Sequence, residues 1–278
     1  LGSRGLGDVY KRQEVNNHDI DYKIEGNEMQ FVEIELDPGE TVIAEAGSFM
    51  MMDEGIGMET IFGDGSGGDN RLLGKLFGAG KRLLTGESLF MTAFTNESSG
   101  KKHVSFASPY PGKIVPLDLS LLGGRMICQK DAFLCAAKGV SVGIEFQKRM
   151  GTGFFGGEGF IMQRIEGDGL AFVHAGGTIK ALDLSANERL RVDTGCLVAM
   201  TGDIDYRIEW VKGVKTALFG GEGLFLATLA GPGKVFVQSL PFSRLASRVF
   251  GAMPGNPAGG RKDEGSLAGG LFDLFDGK

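Results

Sequence analysis

Glu87, Glu158 and Glu222 form one acidic position that recurs in this chain with the same neighbours. They stand in Gly86-Glu87-Ser88, Gly157-Glu158-Gly159 and Gly221-Glu222-Gly223, each followed by an apolar run such as Phe160-Ile161-Met162. Three carboxylates brought together would repel one another, take up protons, or hold a hard cation. A carboxylate beside glycine also accepts backbone N–H bonds in a tight turn and fixes the entry of the strand behind it. The turn role is the stronger expectation, because the motif repeats as a turn does and brings no second type of ligand.

The remaining chemical motifs are weaker. Gly151-Thr152-Gly153-Phe154-Phe155-Gly156 spells G-x-G-x-x-G. A dinucleotide site needs that motif between a strand and a helix, and here another glycine turn and an apolar strand follow it. Gly78-Ala79-Gly80-Lys81 resembles part of a phosphate-binding loop, but Lys75 replaces its first glycine and Arg82 its hydroxyl residue. His18, His103 and His174 are scattered, and His174 reads as a structural histidine of a strand. No His or Cys pair has the spacing of a structural zinc site. Cys128, Cys135 and Cys196 each sit in an apolar run and read as buried free thiols in a reducing compartment. The G-x-S-x-G nucleophile signature is absent. The expectation is a non-enzymatic chain with no catalytic residue, metal or cofactor. The Asn96-Glu97-Ser98 sequon has no bearing on a cytoplasmic chain.

The elements that carry these residues recur three times. A first alternating run ends in an acidic turn at Asp37, Asp118 and Asp183. A second follows as Val42 to Met50, Met126 to Leu134 and Leu190 to Val198. Gly47 and Gly195 match in that run, Asp131 replacing the glycine of the middle copy, which predicts a kink or bulge there. The third is the Gly-Glu turn with its apolar strand, followed by a further strand after a short turn. Ala230-Gly231-Pro232-Gly233 predicts a hairpin at that turn in the last copy. The spacing gives a unit of about 65 residues, which has sheet faces and edges to cover.

The expected architecture is therefore all-β, three β-sandwich-like repeats about a pseudo-threefold axis. The repeats span residues 20–112, 113–177 and 178–249 of a single domain, 14–250. Residues 1–13 read as a non-native, adapter-derived segment and are left out of the fold reasoning. Residues 251–278, rich in Gly, Pro and charge, read as a disordered tail. Composition agrees with a strand-rich chain: 47 Gly against 8 Pro, and 42% hydrophobic residues. A net charge of −6 gives no general attraction for phosphate backbones. Neither a signal peptide nor an apolar run long enough for a transmembrane helix is present, so the expected location is the cytoplasm.

One segment stands apart. In Arg71 to Leu84, the basic Lys75, Lys81 and Arg82 interleave with Phe77 and several leucines. An interfacial amphipathic helix needs such a mixture. Gly74, Gly78 and Gly80 weaken a helix by about 1 kcal/mol each. A structural connector is therefore favoured over a membrane contact.

Asp19-Ile20-Asp21-Tyr22-Lys23-Ile24-Glu25-Gly26, Leu36-Asp37-Pro38-Gly39-Glu40, Ala44-Glu45-Ala46-Gly47 and the repeated Gly-Gly-Glu-Gly resemble the "altered inheritance of mitochondria" family, long known in bacteria and archaea as a domain of unknown function. The resemblance runs from about Ile20 to Phe250. It implies a fold similar to the tryptophan RNA-binding attenuation protein, with internal threefold repetition. It implies no reaction and no catalytic residues. Asp131, in place of glycine, departs from the pattern. The functional expectation is a β scaffold or binding protein, a homo-oligomer or the partner of another protein. The alternatives are association with a membrane surface and, by fold analogy alone, binding of single-stranded RNA. The acidic balance and the single Trp210 oppose the last.

Overall fold

The computed structural model describes residues 20–45, 47–62, 90–148, 160–210 and 225–252. The chain divides into two units, Leu1–Pro241 and Phe242–Lys278. The first unit is built of strands. The opening third supplies β1 (Asp21–Glu25), β2 (Phe31–Leu36), β3 (Thr41–Glu45), β4 (Phe49–Met52), β5 (Ile56–Phe62), β6 (Phe90–Asn96) and β7 (Lys102–Ala107). The middle supplies β8 (Gly112–Asp118), β9 (Arg125–Gln129), β10 (Phe133–Ala137), β11 (Ser141–Lys148), β12 (Phe160–Glu166) and β13 (Leu170–Gly176). The last third supplies β14 (Ile179–Leu184), β15 (Arg189–Asp193), β16 (Leu197–Thr201), β17 (Asp205–Trp210), β18 (Phe225–Ala230) and β19 (Gly233–Gln238).

These strands form four antiparallel sheets. Sheet one has the order β1-β2-β7-β4 and sheet two β5-β6-β3-β10-β13-β8. Sheet three has the order β11-β12-β9-β16-β19-β14 and sheet four β15-β18-β17. Adding six to every strand number of sheet two gives sheet three.

Three apolar layers lie between the four sheets, and strand alternation decides which layer each side chain enters. Val32, Ile34 and Leu36 of β2 join Val42, Ala44 and Phe172 in the layer shared by sheets one and two. Ile43, between Val42 and Ala44, points the other way, into a layer with Met126, Cys128, Val142 and Ala199 of sheet three. Ile127 in turn faces Leu197, Ala227 and Leu229 in the layer shared with sheet four. Sheets two and three are therefore covered on both faces, and their inner strands are rich in apolar residues. All five residues of β10 and all five of β16 are buried. β2 belongs to an outer sheet and alternates between buried and half-buried positions.

Two local expectations meet different geometry. The strand after each Gly-Glu turn and its successor do not make a hairpin. β18 lies between β15 and β17, while β19 lies between β14 and β16. Both strands already have partners on each side, so the Gly231-Pro232-Gly233 turn carries the chain from one sheet to another. Glycine fits that crossing because a Cβ on Gly231 would stand 2.4 Å from the Ser185 carbonyl oxygen. The kink anticipated at Asp131 and Gly195 is a single 3-10 turn, Lys130–Ala132 and Thr194–Cys196. Gly47 has φ +95°, whereas Gly195 is not among the positive-φ glycines, which is why Asp is tolerated in the middle copy. The bulge itself comes just afterwards. Register shifts fall between Phe49 and Met51, Phe133 and Cys135, and Leu197 and Ala199.

The second unit contains the one helix among the described residues, α1 (Phe242–Gly251). The sequence reading placed that stretch within and just beyond the β domain. Phe242, Leu245 and Val249 follow helical spacing, and Arg244 and Arg248 lie off that line.

Phe172 is fully buried in sheet two. Phe172→Ala is expected to lower unfolding free energy by about 3–5 kcal/mol. Urea denaturation followed by circular dichroism measures this, with the midpoint falling and the slope unchanged.

Candidate interaction edge

Glu87, Glu158 and Glu222 lie outside the described residues, and so do Lys75, Phe77, Lys81 and Arg82. The G-x-G-x-x-G at 151–156 and the segment 71–84 lie outside them as well.

Several titratable groups within the described residues are tied into the strand framework. Cys128 and Cys135 are fully buried, and burial raises both thiols far above the range where a thiolate forms. His103 joins two carboxylates. Its backbone N–H donates to Asp53 at 2.8 Å, its Nδ1 lies 3.2 Å from the same carboxylate, and its Nε2 lies 3.4 Å from Glu35. Lys101 bonds Glu35 and reaches Asp37 at 3.7 Å. The Lys101 bond holds Glu35 below the usual carboxylate range, and the His103 N–H does the same for Asp53. On the opposite half of the unit, Arg125 and Arg164 bracket Glu145 at 2.8 and 3.4 Å, and Arg164 reaches Glu166 at 2.9 Å. That network ties β9, β11 and β12 across one face. Asn96 of the sequon is buried, donates to Leu36 and Gly100 carbonyls at 2.8 Å, and accepts from the Ser98 N–H at 2.9 Å. Its side chain closes a turn.

His174 is the one buried histidine among the described residues. Its ring stands edge-on to Tyr110, with centroids 4.3 Å apart. Gly112 leaves it room, since a Cβ there would sit 2.6 Å from Nε2. Neither ring nitrogen has a hydrogen-bond partner. Burial pushes His174 down to about 4, against a small opposing effect of the Tyr110 backbone. The folded protein thus keeps the ring neutral while the unfolded chain takes up a proton near pH 6.5. Stability is expected to be undiminished by this group above pH 6.5 and to fall by about 3 kcal/mol as pH drops from 6.5 to 4. Chemical denaturation across that range measures it. The slope of His174→Phe should be shallower than that of the unsubstituted protein by this amount.

The exposed edge of sheet one presents a different surface. β4 pairs with β7 on one side, through Phe49↔Phe106, Met51↔Ser105 and Met52↔Val104. Its other side has no strand partner among the described residues. Phe49, Met50, Met51 and Met52 are 41%, 48%, 45% and 37% exposed. Phe49 stacks on Phe94 with ring centroids 5.4 Å apart. An unpaired strand edge invites further strand pairing, and proteins ordinarily guard such edges with charge or proline. Every other edge strand here carries charge: β1 has Asp21, Lys23 and Glu25, and β8 has Lys113 and Asp118 around Pro116. β4 carries none. The charges stand just beyond it, at Asp53 and Glu54. In the sequence, Phe49 and Met50 are the end of the recurring run that starts at Val42. The available signal was the four-residue Phe-Met-Met-Met sequence itself, apolar at positions of both parities.

Residues 22–240 match the family described as mitochondrial biogenesis AIM24. An uncharacterized protein of Streptococcus pyogenes serotype M6, M6_Spy0233, is 32% identical over 232 residues, covering 81% of this chain and 88% of that protein. The crystal structure of SPYM3_0169, also from Streptococcus pyogenes, is similar in fold. Its TM-score is 0.62 at 26% identity, covering 83% of this chain and 98% of that one. The chain belongs to the mitochondrial biogenesis AIM24 family.

Proposed function

We propose that this chain is a non-enzymatic β scaffold that acts by assembling into an oligomer. The observation that carries this reading is the exposed, uncharged strand Phe49–Met52 on a body whose other sheet edges are charged. Support comes from the strand order. Sheets two and three are the same arrangement shifted by six strands, and the bulges at Met50, Leu134 and Val198 stand at the same point of their strands. On this reading the chain is three copies of a six-strand unit, as the attenuation-protein-like resemblance implies. The copies begin at β2, β8 and β14, and β1 is an added edge. A threefold arrangement closed within one chain would require β4 to pair with β15, and the described strands leave both of these edges unpaired.

Light scattering coupled to size exclusion tests the reading. A discrete multimer of the 29.5 kDa chain is expected at micromolar concentrations. A mass of one chain throughout would refute it.

Association with a membrane surface is the second reading, favoured by α1, where Phe242, Leu245 and Val249 line up beside Arg244 and Arg248. Anionic vesicles should then float the full-length protein, and Phe242→Ser with Val249→Ser should abolish flotation. Equal flotation of both proteins removes this reading.

A further inference from the structure

We infer that β4 of one copy of this chain pairs with β15 of a second copy, head to tail, completing across the molecular boundary a sheet that the single chain holds as two halves. The inference rests on the assembling-scaffold reading and names its interface.

The two internal seams supply the argument. In sheet two, β10 joins β3 through Cys135↔Ala44, Ala136↔Ile43 and Ala137↔Val42. In sheet three, β16 joins β9 through Ala199↔Cys128, Met200↔Ile127 and Thr201↔Met126. The Lys138 N–H donates to the Thr41 carbonyl in the first seam and the Gly202 N–H to the Arg125 carbonyl in the second, both at 3.1 Å. One side of each seam is a bulged strand of the β4 type, and the other is a strand of the β15 type. β15 pairs with β18 as β3 does with β6 and β9 with β12. The chain thus contains three strands of each type but joins only two pairs. The strands left over are β4 and β15.

Sheets one and four have the composition that this leaves. Subtracting twelve from the strand numbers of sheet four gives the β3-β6-β5 half of sheet two. Adding six to β2-β7-β4 of sheet one gives the β8-β13-β10 half. Joined through β15 and β4, the two short sheets reproduce the order of sheets two and three. Burial points the same way. Phe133 to Ala136 and Leu197 to Met200, which occupy this place inside the chain, are at most 4% exposed, while Phe49 to Met52 are the large exposed apolar run.

The equivalences fix a register: Met51 opposite Val192, Met52 opposite Arg191, and the Glu54 N–H donating to the Arg189 carbonyl. Charge agrees with it. Asp53 and Glu54 follow β4, and Arg189 and Arg191 lie on β15, all four exposed. Opposite charges at the ends of paired strands favour one register over a slipped one. Each copy offers one edge of each kind, so the contact is heterologous and gives a discrete multimer by closing into a ring. β-strand addition of this kind takes its affinity from main-chain hydrogen bonds and its selectivity from the alternate side chains.

Two exposed-surface variants test the inference by native mass spectrometry, with circular dichroism reporting the fold. Met51→Asp, which sets a carboxylate against the apolar Val192, blocks the β4 edge, and Arg189→Glu with Arg191→Glu blocks the β15 edge. The unsubstituted protein should give a discrete multimer and each variant a monomer with an unchanged spectrum. Mixing the two variants should give a one-to-one heterodimer, because the mixture retains one good edge of each kind. A monomeric unsubstituted protein overturns both the seam and the scaffold reading. Multimers that survive in both variants overturn the seam alone. Monomeric variants that form no heterodimer when mixed overturn the head-to-tail polarity. If a variant loses its β spectrum, the single substitution Met52→Lys or Arg191→Glu takes its place and must dissociate the multimer.

Discussion

Everything in the strand unit depends on the antiparallel seams β3–β10 and β9–β16. Each comprises three residue pairs, yet each turns two three-stranded pieces into a sheet six strands wide. A three-stranded piece buries one face easily. A sheet covered on both faces gains apolar area on each, at roughly 25 cal/mol per Å². That gain is greatest where the paired residues are apolar on both sides, as at Ile43, Ala44, Cys135 and Ala136. Cys128 and Cys135 fit this pattern as small, inert apolar groups, one in each seam.

Burial on both faces leaves little tolerance for unpaired polar atoms, and the structure handles them at the rims. Gln238 accepts from the Gly176 N–H at 2.7 Å and donates to the Gly195 carbonyl at 2.8 Å, linking β13, β19 and the turn before β16. Gln30 accepts from the Ile114 N–H at 2.8 Å, joining the start of β2 to β8. Charge-assisted bonds such as Arg125–Glu145 stay half-exposed, where solvent limits both their cost and their worth. Exceptions remain: the Ser105 and Ser108 hydroxyls, Gln163 Oε1 and both ring nitrogens of His174 are buried without partners. A neutral ring avoids the far larger penalty of a buried charge.

The sequence displayed the β class through local signals such as the alternation at Val32–Leu36. It misassigned the turn at Gly231-Pro232-Gly233 because a hairpin and a sheet-to-sheet crossing need the same residues, and only the strands' other partners distinguish them. Uninterrupted apolar runs such as Phe133–Ala137 signalled burial on both faces but not which strand lies alongside. The Gly-Glu positions attracted attention through repetition, whereas the Phe49–Met52 edge is defined by contrast. Its chemistry resembles that of β10 and β16, and it is distinguished only by having no neighbour. A property of that kind is invisible in a linear string. α1 was missed because ten residues with two arginines make a short periodic signal beside a Gly-rich stretch.

The seams also have an order in time. Sheet two takes strands from residues 41–45, 56–62 and 90–96 and then from residues 112–118, 133–137 and 170–176, so a chain emerging from the ribosome exposes β3 until β10 has followed it. β9 waits in the same way for β16. During synthesis, then, each nascent chain displays in succession the same kind of open strand that β15 displays at the end. Two chains made side by side on one message could exchange these strands before either is finished. Spacing between neighbouring ribosomes therefore bears on whether β3 is closed by its own chain or by the next.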